Sequence, residues 1–155
     1  MQYVYPIGQP LCQRYCISYT PSIQLLREMQ NKARVVKGKN PYTVINPKED
    51  PALVFTTGEG QVISKFFNSN QVDSGEIGTR ATVLNRVPKK TYLHFSCHGN
   101  YNWNDPPQSR LSLFGGKKLS SEDLQNDVVD MSSARLVTLS ACKTGITDIV
   151  KGSAD

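Results

Sequence analysis

Cysteine is scarce in this sequence. Four occur in 155 residues, Cys12, Cys16, Cys97 and Cys142, too few and too irregularly spaced for a disulfide framework, so free thiols in a reducing, cytoplasmic compartment are expected. No apolar run approaches the roughly 18 residues needed to cross a bilayer. The opening stretch MQYVYPIGQPLCQRYC also lacks a basic segment leading into an apolar one, so neither a secretory leader nor a membrane partner is expected. There is no internal repeat, heptad or low-complexity tract, which argues against solenoid and coiled-coil architectures. Apolar residues are sparse too. Counting Gly and leaving out Tyr they make up about 41% of the chain, against about 45–50% in ordinary globular domains. A core that is incomplete on its own is the expectation.

What is present is charge of uneven sign. The net charge is +5, yet residues 1–90 hold 12 basic and 6 acidic side chains while residues 91–155 hold 6 and 7. The basic excess belongs to the first part alone. Arg27, Lys32, Arg34, Lys37 and Lys39 form its densest cluster, but no aromatic residues are interleaved with them. The cluster therefore reads as a solvated helix face, and no direct nucleic-acid partner is expected.

The local patterns alternate. Ile23, Leu26, Met29 and Ala33 predict an amphipathic helix over residues 22–36, with Thr20 or Ser22 as its cap and Gly38 as its stop. Tyr42 to Ile45 reads as a strand ended by the Asn46-Pro47 turn. Gln61 to Phe67 reads as a helix after a break at Gly58-Glu59-Gly60, and residues 78–87 as a helix capped by Thr79 and closed by Pro88. Thr91 to Cys97 and Arg135 to Ser140 read as two buried strands. Between them, Gly115-Gly116 marks a hairpin, and Ser120 to Asp123 a capping box opening a short helix through Asp127. Strands separated by helices of this length predict an α/β fold with a mostly parallel sheet and a small antiparallel ribbon.

In open parallel sheets, sites gather at the carboxyl ends of strands. One strand runs into His98-Gly99 and another into Ala141-Cys142-Lys143-Thr144-Gly145. An imidazole and a thiol are thus expected at the same sheet edge, 44 residues apart, with His first and an A-C-x-G type loop second, as in the caspase pattern. A thiolate is the nucleophile in such chemistry, and the imidazole holds it as an ion pair or protonates the leaving amine. The N–H groups of Gly99 and Cys142 are candidate oxyanion donors.

The segments HFSCHGNYNWNDPPQSRLSL, LSSEDL and ARLVTLSACKTG resemble the CHAT family, caspase-like cysteine peptidase domains found with tetratricopeptide repeats. ISYTPSIQLL, the Asn46-Pro47 turn, GEGQVISKFF and ATVLNRV fit the same pattern, so the resemblance covers nearly all of residues 1–155. It implies a caspase-like α/β fold, of which this chain would be the N-terminal portion, the first half to two thirds. It also implies His98 as general acid or base, Cys142 as nucleophile, no cofactor and no metal. The implied partners are a protein or peptide substrate and a tetratricopeptide-repeat region or regulatory protein. Lys143 stands where the family often has an acidic residue. That departure keeps a second reading open, a degenerate module serving as a docking or signalling surface.

The remaining candidates have plainer readings. His94 lies mid-strand and is expected to be a satisfied core histidine. Cys97 alternates with His98 and is expected to pack. Cys12 and Cys16 form one pair where a zinc site needs two. Trp103, in the Asn- and Pro-rich loop of residues 100–110, either lines a substrate groove or anchors its loop.

Overall fold

Branched and aromatic side chains fit a pleated surface, and the segments richest in them form the middle of one parallel sheet. The computed structural model of the chain describes Thr20, residues 22–67 and residues 71–141. Its elements are α1 (Ile23–Val35), β1 (Pro41–Ile45), α2 (Thr56–Lys65), β2 (Gln71–Ser74), α3 (Arg80–Arg86), β3 (Tyr92–Ser96), β4 (Gly99–Asn100), β5 (Arg110–Ser112), β6 (Lys118–Ser120), α4 (Ser121–Gln125) and β7 (Leu136–Ser140). Four strands pair in parallel in the order β2-β1-β3-β7, and β4-β5-β6 form an antiparallel ribbon. Register runs from Pro41↔Tyr92 to Ile45↔Ser96 between β1 and β3, and from Tyr92↔Leu136 to Ser96↔Ser140 between β3 and β7. The expected α/β class and its ribbon are both found.

Caps set the helix starts. The side chains of Ser22, Thr79 and Ser120 accept from the backbone N–H three residues on, at 3.1, 3.1 and 3.2 Å. Asp123 returns a bond to the Ser120 N–H at 2.9 Å, closing the expected capping box. Gly115 and Gly116, at φ 69° and 70°, turn the ribbon between β5 and β6 in a conformation that other residues rarely adopt.

One face of the sheet is the apolar core. Tyr42, Val44, Leu93, Phe95 and Cys97 pack there with Val83 and Val87 of α3 and with Leu113 and Leu119 of the ribbon. At the edge of this core, Asp73 is buried with two partners, accepting from the Tyr42 hydroxyl at 2.6 Å and pairing with the Arg86 guanidinium. The opposite face carries Thr43, His94 and Ser96, all buried, beneath α2.

Several expectations need correction. Helix α2 begins at Thr56 and runs through Gly58 and Gly60. These glycines are no break, because a Cβ at Gly60 would overlap the Ile45 side chain, so its absence lets the helix approach β1 closely. The second strand expected to be buried, β7, is exposed at every position, since among the described residues it is an edge strand with neither face covered. Helix α1 is capped as expected but buries no residue, and Ile23 is 84% exposed. Its apolar stripe meets no core among the described residues. The ribbon gains a third strand, β4, and β2 was not anticipated. No described helix is long and apolar enough to cross a membrane.

Candidate functional site

The turn after β1 is built by one side chain. Asn46 sits at φ 39°, the left-handed region that Asn tolerates, and its N–H donates to the Ser96 carbonyl at 2.7 Å. Its side chain accepts from the Asp50 N–H and donates to the Asp50 carbonyl, both at 2.9 Å. These bonds hold Asp50 above the ends of β1 and β3.

There the Asp50 carboxylate is divided between two donors. Oδ1 accepts from the Ala52 N–H at 2.8 Å and Oδ2 lies 2.8 Å from His98 Nε2. The Ala52 amide first, and His98 second, hold the Asp50 carboxyl below the usual carboxylate range. Both side chains are about a third exposed, His98 at 34% and Asp50 at 37%, so the pair is open to solvent and to a ligand. A carboxylate on Nε2 favours the proton on that nitrogen and directs Nδ1 elsewhere.

His98 is itself anchored through its backbone. Its carbonyl accepts from the Ser112 N–H at 2.8 Å, while the next residue, Gly99, stands opposite Leu111. That bond pattern makes Gly99 and Leu111 a non-hydrogen-bonded pair and turns the Gly99 N–H away from β5. The loop that follows is tied by Asn102, whose side chain accepts from the N–H groups of Asn104 and Asp105 at 3.1 and 3.2 Å. Trp103 packs edge-on against Tyr101, ring centroids 4.6 Å apart. Tyr101, Leu111, Leu119, Val137 and Leu139 line an apolar groove of about 360 Å³ on the core side of the sheet.

A second polar cluster lies one strand-step below His98. Glu59 of α2 accepts from the Ser96 hydroxyl at 2.5 Å and faces His94 Nε2 at 3.5 Å. Partial burial pushes the Glu59 carboxyl up, but the Ser96 and Ser140 hydroxyls and the nearby His94 outweigh it and bring it below its ordinary value. His94 is buried as expected, but it is not satisfied, since its Nε2 makes no hydrogen bond among the described residues.

Of the expected site residues, His98 and Gly99 lie together at the end of β3. Cys142, Lys143, Cys12 and Cys16 lie outside the described residues. Cys97 points to the opposite face from Ser96, is buried, and has its thiol pushed up to about 12 by that burial. In the basic cluster, the Lys32 ammonium donates to the Met131 carbonyl at 3.2 Å. Sequence reading missed Asp50 and Glu59. The strand-end rule, applied to β1 as it was to β3, points at the Asn46–Asp50 turn and was the available signal for the first.

Two comparisons bear on this arrangement. The sequence matches the family model of the CHAT domain over residues 2–154. No curated protein matches the chain.

Proposed function

Because the chain belongs to the CHAT domain family, a family of caspase-like peptidases, we propose that it is a cysteine endopeptidase using His98 and Cys142. The parallel sheet with flanking helices and an antiparallel ribbon is that of the α/β caspase-like fold. The observation that carries the reading is the Asp50–His98 pair at 2.8 Å, a solvent-accessible imidazole oriented by a carboxylate at the carboxyl end of a parallel strand. An orienting group behind a catalytic base is the geometry nucleophilic catalysis requires.

Register supports the partner. The last β3–β7 pair is Ser96↔Ser140, and in the sequence His98 and Cys142 each follow two residues after these partners. In the proposed reaction the Cys142 thiolate attacks the scissile carbonyl and its electron pair moves onto oxygen. The Gly99 and Cys142 N–H groups stabilise that oxyanion. His98, its imidazolium held by Asp50, gives its proton to the leaving amine as the C–N bond breaks. Water, deprotonated by His98, then hydrolyses the thioester and regenerates the thiol.

The test is labelling of the chain with a peptide acyloxymethyl ketone, located by mass spectrometry. Covalent label on Cys142 that is lost in His98→Ala supports the reading. A folded protein that takes no label at Cys142 overturns it in favour of a docking module.

A further inference from the structure

The Asn46-Pro47 turn does more than end β1. Pro47 is fully buried, and a Cβ at Gly78 would come within 2.5 Å of the Pro47 Cβ, so the turn rests on a packed base. From that base the Asn46 side chain reaches forward along the chain. Its Oδ1 accepts from the Asp50 N–H and its Nδ2 donates to the Asp50 carbonyl, both at 2.9 Å, so one amide grips both polar groups of the Asp50 backbone.

The other end of the linkage is the strand that carries the imidazole. The Asn46 N–H donates to the Ser96 carbonyl at 2.7 Å, and Ser96, the last residue of β3, stands two positions before His98. Asn46 therefore refers the carboxylate and the ring to one point. Moving Asp50 relative to β3 strains these three bonds, and the movement is felt at the 2.8 Å contact between Asp50 Oδ2 and His98 Nε2.

Backbone conformation narrows the choice of residue at this position. The φ of 39° is one that Asn, Asp and Gly tolerate, and of these only Asn carries both a donor and an acceptor on its side chain. Asp would keep the bond to the Asp50 N–H and lose the bond to the carbonyl. Gly would keep the turn and lose both.

Resting on the His98–Cys142 reading, we propose that Asn46 is a positioning residue for catalysis, clamping Asp50 so that its carboxylate holds the proton on His98 Nε2 and leaves Nδ1 to exchange protons in the reaction. Its effect is transmitted through Asp50 alone.

Two readouts test this on the full chain, with folding checked by circular dichroism. The first is the nitrogen-15 spectrum of the imidazoles at about pH 8, where an ordinary imidazole is neutral. The chain has two histidines, and His98→Ala identifies the signals of the second. In the wild type the two ring nitrogens of His98 are expected far apart in shift, as for a single tautomer protonated on Nε2. In Asn46→Gly they are expected to move toward each other as the other tautomer becomes populated. The second readout is peptide turnover. For Asn46→Gly, kcat is expected to fall about 10²-fold, the size of a misplacement of about 1 Å, with KM nearly unmoved. Asn46→Asp should lie between the wild type and Asn46→Gly in both readouts.

A cycle with Asp50→Ala separates positioning from a general structural role. Acting only through Asp50, Asn46→Gly adds nothing to the loss that Asp50→Ala already causes, and losses that multiply overturn the proposal. A folded Asn46→Gly with an unmoved imidazole spectrum overturns it as well, whatever its kcat. Should Asn46→Gly not fold, Asn46→Asp is read in its place, and an unmoved spectrum there is equally decisive. Wild-type turnover in His98→Ala, beside a spectrum that Asn46→Gly still moves, instead sinks the His98–Cys142 reading, and the clamp is then a feature of the fold with no part in catalysis.

Discussion

The two faces of β3 carry different kinds of chemistry. Leu93 and Phe95, with Cys97 just beyond the strand, are buried among the apolar residues of β1, α3 and the ribbon. His94 and Ser96 lie on the other face under α2, with Glu59 beside them, and His98 follows two residues on, paired with Asp50. One step along the chain separates a thiol pushed up to about 12 from an imidazole that solvent and ligand can reach. The two sides of this strand end differ by the face a residue joins, because burial disfavours the Cys97 thiolate while the Asp50 carboxylate orients an accessible ring.

That contrast is breakable at several points. The largest effect expected is on the polar side. His98→Ala should lower proteolysis of an unfolded protein such as casein by about 10²–10⁴-fold, the range for loss of a general acid or base, with the thermal midpoint nearly unchanged. A folded variant with wild-type turnover would remove the chemistry from this face.

Next in size is a change on the apolar side. Phe95→Ala takes a ring from the middle of the core, where the residue is 1% exposed, and should cost about 3–5 kcal/mol of stability as read by urea unfolding. A loss below about 1 kcal/mol, the size ordinary for an exposed position, would show that this face is not the core.

Acid sharpens the comparison further. Asp50 and Glu59 at the polar face, and Asp123 at the cap of α4, all have carboxyls held below their ordinary values. The unfolded chain therefore binds more protons than the folded one from about pH 4.5 downward, and stability falls as the pH drops through the folded-state values. The urea midpoint should decline across that window, and less steeply in Asp50→Asn. A midpoint that holds steady or rises on acidification would contradict the carboxylate partners assigned here.

The smallest effect is the one most diagnostic of alternation. Cys97→Ala removes only a sulfur from a packed site, so a loss on the order of 1 kcal/mol is expected, with catalysis untouched and no iodoacetamide adduct at Cys97 in the native wild type near neutral pH. Native-state alkylation of Cys97 as fast as that of an exposed thiol would place it on the wrong face.

Much of the fold was legible because it depends on neighbours in sequence. The β-rich runs at Tyr42–Ile45 and Tyr92–Ser96 became central strands, and Ser22, Thr79 and Ser120 capped the helices they precede, since a cap is a bond to a residue three positions away. Alternation separated Cys97 from its neighbours for the same reason. Gly58 and Gly60 misled, because their composition alone signals a break, whereas the helix runs through both and Gly60 lets it pass close to Ile45. Apolar composition likewise marked Leu136–Ser140 as a strand but not as an edge, since exposure depends on what lies alongside.

The site divides in the same way. By itself the sequence determined the types of most helices and strands, though not β2 or β4, the faces of β3, the placement of His98 and Gly99 after a strand, and the resemblance to the family. Only the tertiary structure joined Asp50 to His98 across 48 positions, and Glu59 to Ser96 across 37. Hydrogen bonds of that span come from how the parallel strands line up and how closely α2 approaches the sheet, and such distances are set by the packing of the whole chain, which no local pattern encodes.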